Sequence, residues 1–248
     1  MRHKLLFLPF LIAIVGLWML GNRPVSSSQA ASPMVETPGL RVVELFTSQS
    51  CSSCPPADDL LVELSKNDNV LAFSCHVTYW DHLNWRDTLS RKFCTERQRA
   101  YARSQGKRQV YTPQMVIDGA HEFVGSNRRE ALNILSQSPQ QVQPIALIRK
   151  DLATLSATLP QLTDDAPLQT LWLLSYIPTH TQAIPSGENR GRTITYANSV
   201  ATLDQIGTWD GRAQTLTVPL PDHPKEAMGF AIIAQPQGFG HISAAGKI

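Results

Sequence analysis

The chain has 248 residues, of which 42% are hydrophobic and 17% are charged, and its formal net charge is +2 at pH 7. This composition is typical of a folded globular protein and excludes an intrinsically disordered one. The small net charge argues against nucleic acid and against an anionic membrane surface as partners. Four cysteines permit up to two disulfides if the protein lies outside the cytoplasm.

The first 30 residues have the pattern of a secretory signal. Two basic residues precede an apolar run over residues 5–20, which is short for a membrane span, and small and polar residues follow. We therefore predict a signal peptide over residues 1–30 and a linker over residues 31–39. An uncleaved N-terminal anchor is the alternative. The mature protein should be secreted or periplasmic, with no membrane contact beyond the signal segment.

Two cysteines, Cys51 and Cys54, stand between a predicted strand and a predicted helix. The apolar run before them, residues 40–46, predicts a buried strand, and leucines recur at helical spacing over residues 57–66. A thiol at a helix N-terminus faces unpaired N–H groups and the positive end of the dipole, which lower its pKa below the free value of ~8.5. We expect Cys51 to be the nucleophile and Cys54 the resolving thiol of a redox pair. A permanent structural disulfide is the alternative.

The next elements alternate between strands and helices. Residues 70–80 predict a strand that ends in an aromatic loop, and residues 87–103 predict a helix with a solvated basic face. Residues 114–119 and 121–125 predict a hairpin around an Asp-Gly turn, and residues 128–136 predict the last helix. The order in this half of the chain is therefore β-α-β-α-β-β-α.

From about residue 141 the pattern changes to short apolar runs punctuated by glycine and proline. These runs predict strands within residues 144–159 and at residues 170–177, 193–196, 213–218 and 230–235. We predict a small antiparallel β domain over residues 141–248, after a first domain over residues 40–140. This second part of the sequence contains no cysteine and no metal-ligand spacing, so its expected role is to cover the first domain or to present a partner surface.

The element order, with Cys-x-x-Cys after the first strand and Thr112-Pro113 before the third, resembles the thioredoxin fold. Within this fold, the sequence resembles a bacterial family of secreted thioredoxin-like proteins of unknown function, domain of unknown function 1223. The segments that carry the resemblance are residues 43–48, 51–58, 76–81, 95–101, 111–114, 186–192 and 209–211. It implies an α/β thioredoxin-like domain followed by a small antiparallel β domain. It also implies that Pro113 is cis beside the dithiol and that the backbone of Thr112 docks a substrate segment as an added strand. An ordinary trans proline at a strand start is the alternative.

Three side chains near the dithiol are candidates for tuning it. Glu44, the one acid in the first strand, and Asp58, one turn beyond Cys54, are candidate proton acceptors for the buried resolving thiol. For each of them the alternative is a salt-bridged or solvent-facing carboxylate. His76 is a candidate for tuning the site or for binding a metal with the cysteines, and the alternative is a histidine held in place by a hydrogen bond.

The other two cysteines are Cys75 and Cys94, where the family resemblance implies apolar or aromatic side chains. They lie near packed faces of a predicted strand and of the helix after it, and such elements commonly touch in the implied fold. We predict a structural disulfide between them. The alternative is a pair of buried free thiols that act as small apolar side chains.

The predicted function is an extracytoplasmic thiol–disulfide oxidoreductase that uses no cofactor and no metal. Its partners would be protein thiols or disulfides and an extracytoplasmic redox partner. In one alternative, Cys51, Cys54 and His76 handle a soft ion such as Cu(I). In another, the protein is a non-catalytic binding protein in which the Cys51–Cys54 disulfide only stabilises the structure of the site.

Overall fold

The computed structural model describes residues 40–137, 142–220 and 229–248. The predicted signal peptide, the linker and the domain boundary after residue 140 lie outside the described residues. In the part of the chain that the structure describes, no helix is long and apolar enough to cross a membrane.

Strands and helices alternate in the first half of the chain, in the predicted order. They are β1 (Arg41–Thr47), α1 (Pro55–Leu64), β2 (Val70–His76), α2 (Lys92–Ser104), β3 (Gln114–Ile117), β4 (His121–Val124) and α3 (Arg128–Ser136). Helix α2 begins later than the predicted residue 87, because Asp87 uses its carboxylate to accept the backbone N–H groups of Gln49 and Leu89 in a loop. Arg91, which precedes the helix, is still extended.

Eight strands form the described part of the second half, residues 142–220 and 229–248. They are β5 (Gln143–Pro144), β6 (Ala146–Arg149), β7 (Thr154–Leu159), β8 (Gln169–Ala183), β9 (Thr193–Trp209), β10 (Gln214–Pro219), β11 (Gly229–Pro236) and β12 (Ala244–Lys247). Strands β8 and β9 form a long antiparallel hairpin and are much longer than the predicted strands 170–177 and 193–196. Two register shifts in this hairpin break the apolar alternation on which the prediction depended.

The predicted fold class, an α/β thioredoxin-like domain followed by a separate antiparallel domain, is wrong. Nine strands from both halves form one mixed sheet in the order β4-β3-β1-β2-β9-β8-β11-β12-β5, and β10-β7-β6 form a second sheet. Only 16% of the described residues are helical. The halves join because β2 is a central strand: its seven residues are all buried, and Ser74 pairs with Ser199 of β9.

The two faces of the sheet around β1 and β2 carry different cores. On one side, which we call the α1 face, Val43 and Leu45 pack against the leucines of α1. On the other side, the α2 face, Phe46 and Phe73 pack with Tyr101 of α2 and with side chains of the second half. Burying each such side chain contributes about 1.5–3 kcal/mol, so both faces hold the sheet firmly.

Candidate active site

The first two cysteines form a disulfide at the beginning of α1. Cys54 is the N-cap residue of the helix, and Cys51 lies in the turn that leads from β1. Cys54 is fully buried, whereas 5% of Cys51 is exposed. Of the pair, only Cys51 therefore has a surface that a reagent can approach.

The beginning of α1 differs from the sequence-based expectation of unpaired N–H groups. Its first two residues are prolines, and the N–H groups of Ala57 and Asp58 both donate to the carbonyl oxygen of Cys54, at 2.8 and 3.1 Å. The Ser53 hydroxyl lies 3.4 Å from the sulfur of Cys51. Stabilisation of a Cys51 thiolate therefore rests on the helix dipole and on this hydroxyl.

The Thr112–Pro113 peptide bond is cis, as predicted. Gln114 pairs with Phe46 of the antiparallel strand β1. Pro113, the residue before Gln114, therefore lies at the level of Thr47. Gly125 lies against both Pro113 and Ala57 of α1: a Cβ atom added to Gly125 would be 3.2 Å from the Cβ atom of each residue. Pro113 therefore lies beside the first turn of the helix that carries Cys54.

Asp58, one turn into α1, is buried on the α1 face. Only 2% of it is exposed, and neither carboxylate oxygen hydrogen-bonds to a described group. Burial raises the pKa of Asp58 to about 7, although the nearby His76 lowers it in part. This carboxyl can therefore gain or lose a proton near neutral pH, which suits a proton acceptor for Cys54.

His76 ends β2 and pairs with Thr47 across the β1–β2 ladder. Its Nδ1 lies 2.7 Å from Oδ2 of Asp87, and both side chains are buried. Burial acts to raise the pKa of Asp87, but His76 and two backbone N–H groups outweigh burial and hold that pKa below its ordinary value. Asp87 is therefore ionised and accepts a hydrogen bond from His76.

Tyr196 of β9 completes this buried group. Its ring packs edge-on against the ring of His76 with centroids 4.7 Å apart. Burial and the nearby carboxylates of Asp58 and Asp87 raise the pKa of Tyr196, so its hydroxyl stays protonated. Neither that hydroxyl nor Nε2 of His76 has a hydrogen-bond partner among the described residues.

The structure does not bring Glu44 to the dithiol. Glu44 lies on the α2 face, where Arg97 donates two hydrogen bonds to it, at 2.6 and 2.8 Å, and the Tyr101 hydroxyl donates a third at 2.5 Å. The guanidinium of Arg97 is buried, which lowers its pKa, but the charge of Glu44 outweighs burial and raises it. Glu44 is thus fully paired in a structural network.

Cys75 and Cys94 form the predicted second disulfide. It joins β2 to α2 on the α2 face, and neither cysteine is more than 1% exposed. Burial of both sulfurs within a hydrophobic cluster identifies this bond as a structural cross-link.

The tip of the β8–β9 hairpin, residues 184–192, covers the Cys51–Cys54 turn. The buried amide of Asn189 donates to the carbonyl oxygens of Gln49 and Cys51, both at 2.9 Å, and a Glu188 oxygen accepts from the N–H of Ser52 at 3.2 Å. Sequence reasoning missed Asn189, because its partners lie about 140 residues away along the chain, and it missed Asp87, which was assigned to the predicted helix. The only signal was the run 186–192, which the family resemblance included.

A shallow cavity of about 560 Å³ lies beside this covered turn. The aromatic loop contributes Leu83 and Asn84 to its lining, and the hairpin tip contributes several polar groups, including Glu188 and Arg190. Trp80 of the same loop donates to the Thr112 hydroxyl at 2.8 Å. The aromatic loop therefore connects the cavity to the segment that carries Pro113.

The predicted soft-metal alternative finds no support in the geometry. Among the described residues, no three His, Cys, Asp or Glu side chains are grouped so that they can hold a metal ion. Nδ1 of His76 is already engaged by Asp87.

Comparisons with known proteins agree with this description. The family model described as "Protein of unknown function (DUF1223)" matches residues 42–235. Among curated proteins, none matches the chain. The crystal structure of protein AGR_C_4864 from Agrobacterium tumefaciens is similar, with 27% identity and a TM-score of 0.70 over 86% of this chain and 95% of that one. HBP35 of Porphyromonas gingivalis, at 13% identity, has a TM-score of 0.57 over 85% of this chain and 75% of that one, which is a likeness of fold.

Proposed function

Because the chain belongs to DUF1223, a family of proteins of unknown function, we propose its function from the site itself: a thiol–disulfide oxidoreductase that acts through Cys51 and Cys54. The observation that carries the proposal is Asp58. A buried carboxyl with a pKa of about 7, one turn beyond a fully buried cysteine, suits the removal of a proton from that cysteine. A merely structural disulfide has no need of such a group.

The reaction begins with the reduced protein. The Cys51 thiolate attacks one sulfur of a substrate disulfide, forms a mixed disulfide and releases the other substrate sulfur as a thiolate. Asp58 takes the proton of Cys54, and the Cys54 thiolate attacks the sulfur of Cys51. This step forms the Cys51–Cys54 disulfide and releases the second substrate thiolate. The two cysteines lose two electrons and the substrate disulfide gains them; the reverse sequence oxidises a substrate dithiol.

The proposed substrates are proteins, docked at Thr112 and Pro113. The position of Pro113 beside the first turn of α1 supports this proposal, because a segment aligned there would pass next to the dithiol. The indole of Trp80 holds the Thr112 side chain and leaves its backbone for the substrate.

We further propose that the protein is secreted or periplasmic, delivered by its N-terminal signal, and exchanges electrons with an extracytoplasmic redox partner. The two disulfides fit an oxidising compartment.

One competing function has its own support. The low exposure of Cys51, 5%, and the cover formed by the hairpin tip favour a permanent disulfide that only stabilises the turn. In that case Cys51 would not exchange with any partner.

Trapping separates the two functions. A Cys54→Ser variant should accumulate covalent partners through Cys51, because the resolving thiol is gone, and it should form a stable mixed disulfide with a labelled peptide disulfide. The matched control is the Cys51→Ser/Cys54→Ser variant, which should trap neither. If Cys54→Ser reacts with the peptide no faster than an ordinary surface thiol does, the protein is not an oxidoreductase.

A further inference from the structure

Behind the Cys51–Cys54 disulfide, five polar side chains from five parts of the chain meet on the α1 face. Each comes from a different part of the chain, of which four are helices or strands: Thr47 of β1, Asp58 of α1, His76 of β2 and Tyr196 of β9, with Asp87 from the loop after β2 as the fifth. All five are at most 2% exposed. Buried polar groups are normally hydrogen-bonded, so a cluster in which Asp58, Nε2 of His76 and the Tyr196 hydroxyl have no partner among the described residues calls for a function.

We propose that His76 acts through Asp58 as the second proton carrier of the dithiol site, with Asp87 holding its imidazole in position. The inference rests on the proposed oxidoreductase function and extends it. Its basis is geometric: one nitrogen of His76 is bound to an ionised carboxylate, and the other is unengaged in the same buried group as Asp58.

The hydrogen bonds determine which nitrogen can accept a proton. Asp87 also accepts the N–H groups of Gln49 and Leu89, each at 2.8 Å, so it is already stabilised as a carboxylate. The proton between them therefore belongs to Nδ1 of His76, and Nε2 is the ring nitrogen that no described group engages. Asp87 then stabilises the imidazolium that forms.

The proton balance closes within the cluster. The Cys54 thiol gives its proton to the Asp58 carboxylate and becomes the attacking thiolate. Asp58 passes that proton to Nε2 of His76, through one water or a small rotation, and becomes a carboxylate again. The imidazolium is paired with ionised Asp87, and its positive charge also favours the carboxylate form of Asp58. In the oxidising direction the proton returns by the same route.

Among the described residues, the titratable groups that face His76 come from three elements: Asp58 from α1, Asp87 from the loop after β2, and Tyr196 from β9. Tyr196 stays neutral, since burial and the two carboxylates raise its pKa. The proton is therefore carried in turn by three groups, which are Cys54, Asp58 and His76.

The first test measures how fast the mixed disulfide is resolved between pH 5 and 9, with a labelled peptide disulfide as substrate. His76 lowers the pKa of Asp58, so His76→Gln should move the midpoint upward by about one unit and slow resolution at pH 7 about fivefold. The matched control is Ser74→Ala, on the same strand and face but bonded to Ser199 of β9. It should keep the wild-type profile.

The second test needs no activity and no variant of His76. In the disulfide form, the imidazole nitrogen resonances of His76 are followed from pH 5 to 9 in the wild-type protein and in Asp58→Asn. We expect a step near pH 7 that follows the ionisation of Asp58 and disappears in the variant.

Each outcome is decisive. If the wild-type protein exchanges disulfides but His76→Gln keeps the profile of Ser74→Ala, or if the His76 resonances are the same with and without Asp58, the relay is wrong and the proposed function stands. If the wild-type protein exchanges no disulfides, the proposed function fails and the relay fails with it.

Discussion

The two disulfides lie on opposite faces of the central sheet, and the buried carboxylates of Glu44 and Asp58 near them are in opposite situations. On the α2 face, Glu44 is fully paired by Arg97 and Tyr101 near the Cys75–Cys94 bond. On the α1 face, Asp58 has no hydrogen-bond partner among the described residues. The difference teaches that pairing, rather than burial, separates a structural acid from one that can exchange a proton.

Removing the partner of Glu44 should have the largest effect. Arg97→Met leaves a buried carboxylate without its counter-charge, so we expect the free energy of unfolding to fall by about 3–5 kcal/mol. Urea unfolding at pH 7 measures the loss. Arg99→Met, on the exposed side of the same helix, is the control and should change little. A loss no larger than that of Arg99→Met would show that the Glu44 network is not structural.

Neutralising Asp58 should act in the opposite direction. Its pKa is raised from 3.8 to about 7, so the folded state holds the proton more tightly, and stability is lost as pH rises through this window. Asp58→Asn should therefore raise the free energy of unfolding at pH 8 by up to about 4 kcal/mol, and should raise it little near pH 4. Urea unfolding of the disulfide form at both pH values tests this. Asp59→Asn, which alters an exposed neighbour, should show no such pH dependence, and an equal gain at both pH values would contradict the assignment.

The two disulfides should also differ. Replacing Cys75 and Cys94 by alanine opens a loop with a sequence separation of 19, and we expect the free energy of unfolding to fall by about 3 kcal/mol. Thermal and urea unfolding measure it. The labelled-peptide trap through Cys51 should persist when these changes are combined with Cys54→Ser. Loss of trapping in the folded protein would mean that the α2-face disulfide takes part in exchange.

The smallest effect concerns the cover over the dithiol. Asn189→Ala removes two hydrogen bonds from the Cys51 turn and should lower the free energy of unfolding by about 1 kcal/mol, since water can reach part of this loop. Alkylation of reduced Cys51 should become faster as the tip loosens. Arg190→Ala, exposed on the same tip, serves as the comparison. Equal alkylation rates in both variants would show that Asn189 does not control access.

Local patterns were enough to predict the order of the strands and helices in the first half, although the fold class was wrong. The strand before the cysteines, the three helices and the Asp-Gly hairpin follow from periodicity and turn residues over short windows. The pairing of β2 with β9 does not, because Ser74 and Ser199 are polar and 125 residues apart. The one available sign was that β2 is apolar on both of its faces, which is typical of a central strand.

The residues of the candidate site also fall into those that the sequence could predict and those that it could not. Cys51, Cys54, Pro113 and Asp58 lie in or beside motifs with a known physical meaning, so their positions could be anticipated. Tyr196 and Asn189 come from distant strands and loops and carry no local signal. Glu44 shows the limit of spacing arguments: one step along a strand turns a side chain to the other face of the sheet.

The parallel contact between β2 and β9 has a consequence for any shortened form of the protein that is meant to carry Cys51 and Cys54. A fragment that ends at residue 137 would leave β2 as a bare edge, with its N–H and C=O groups and its apolar residues turned to solvent. Such a fragment would also lose Tyr196 and Asn189. We therefore expect it to aggregate, and the Cys51–Cys54 turn to keep its structure in another protein only together with the β8–β9 hairpin.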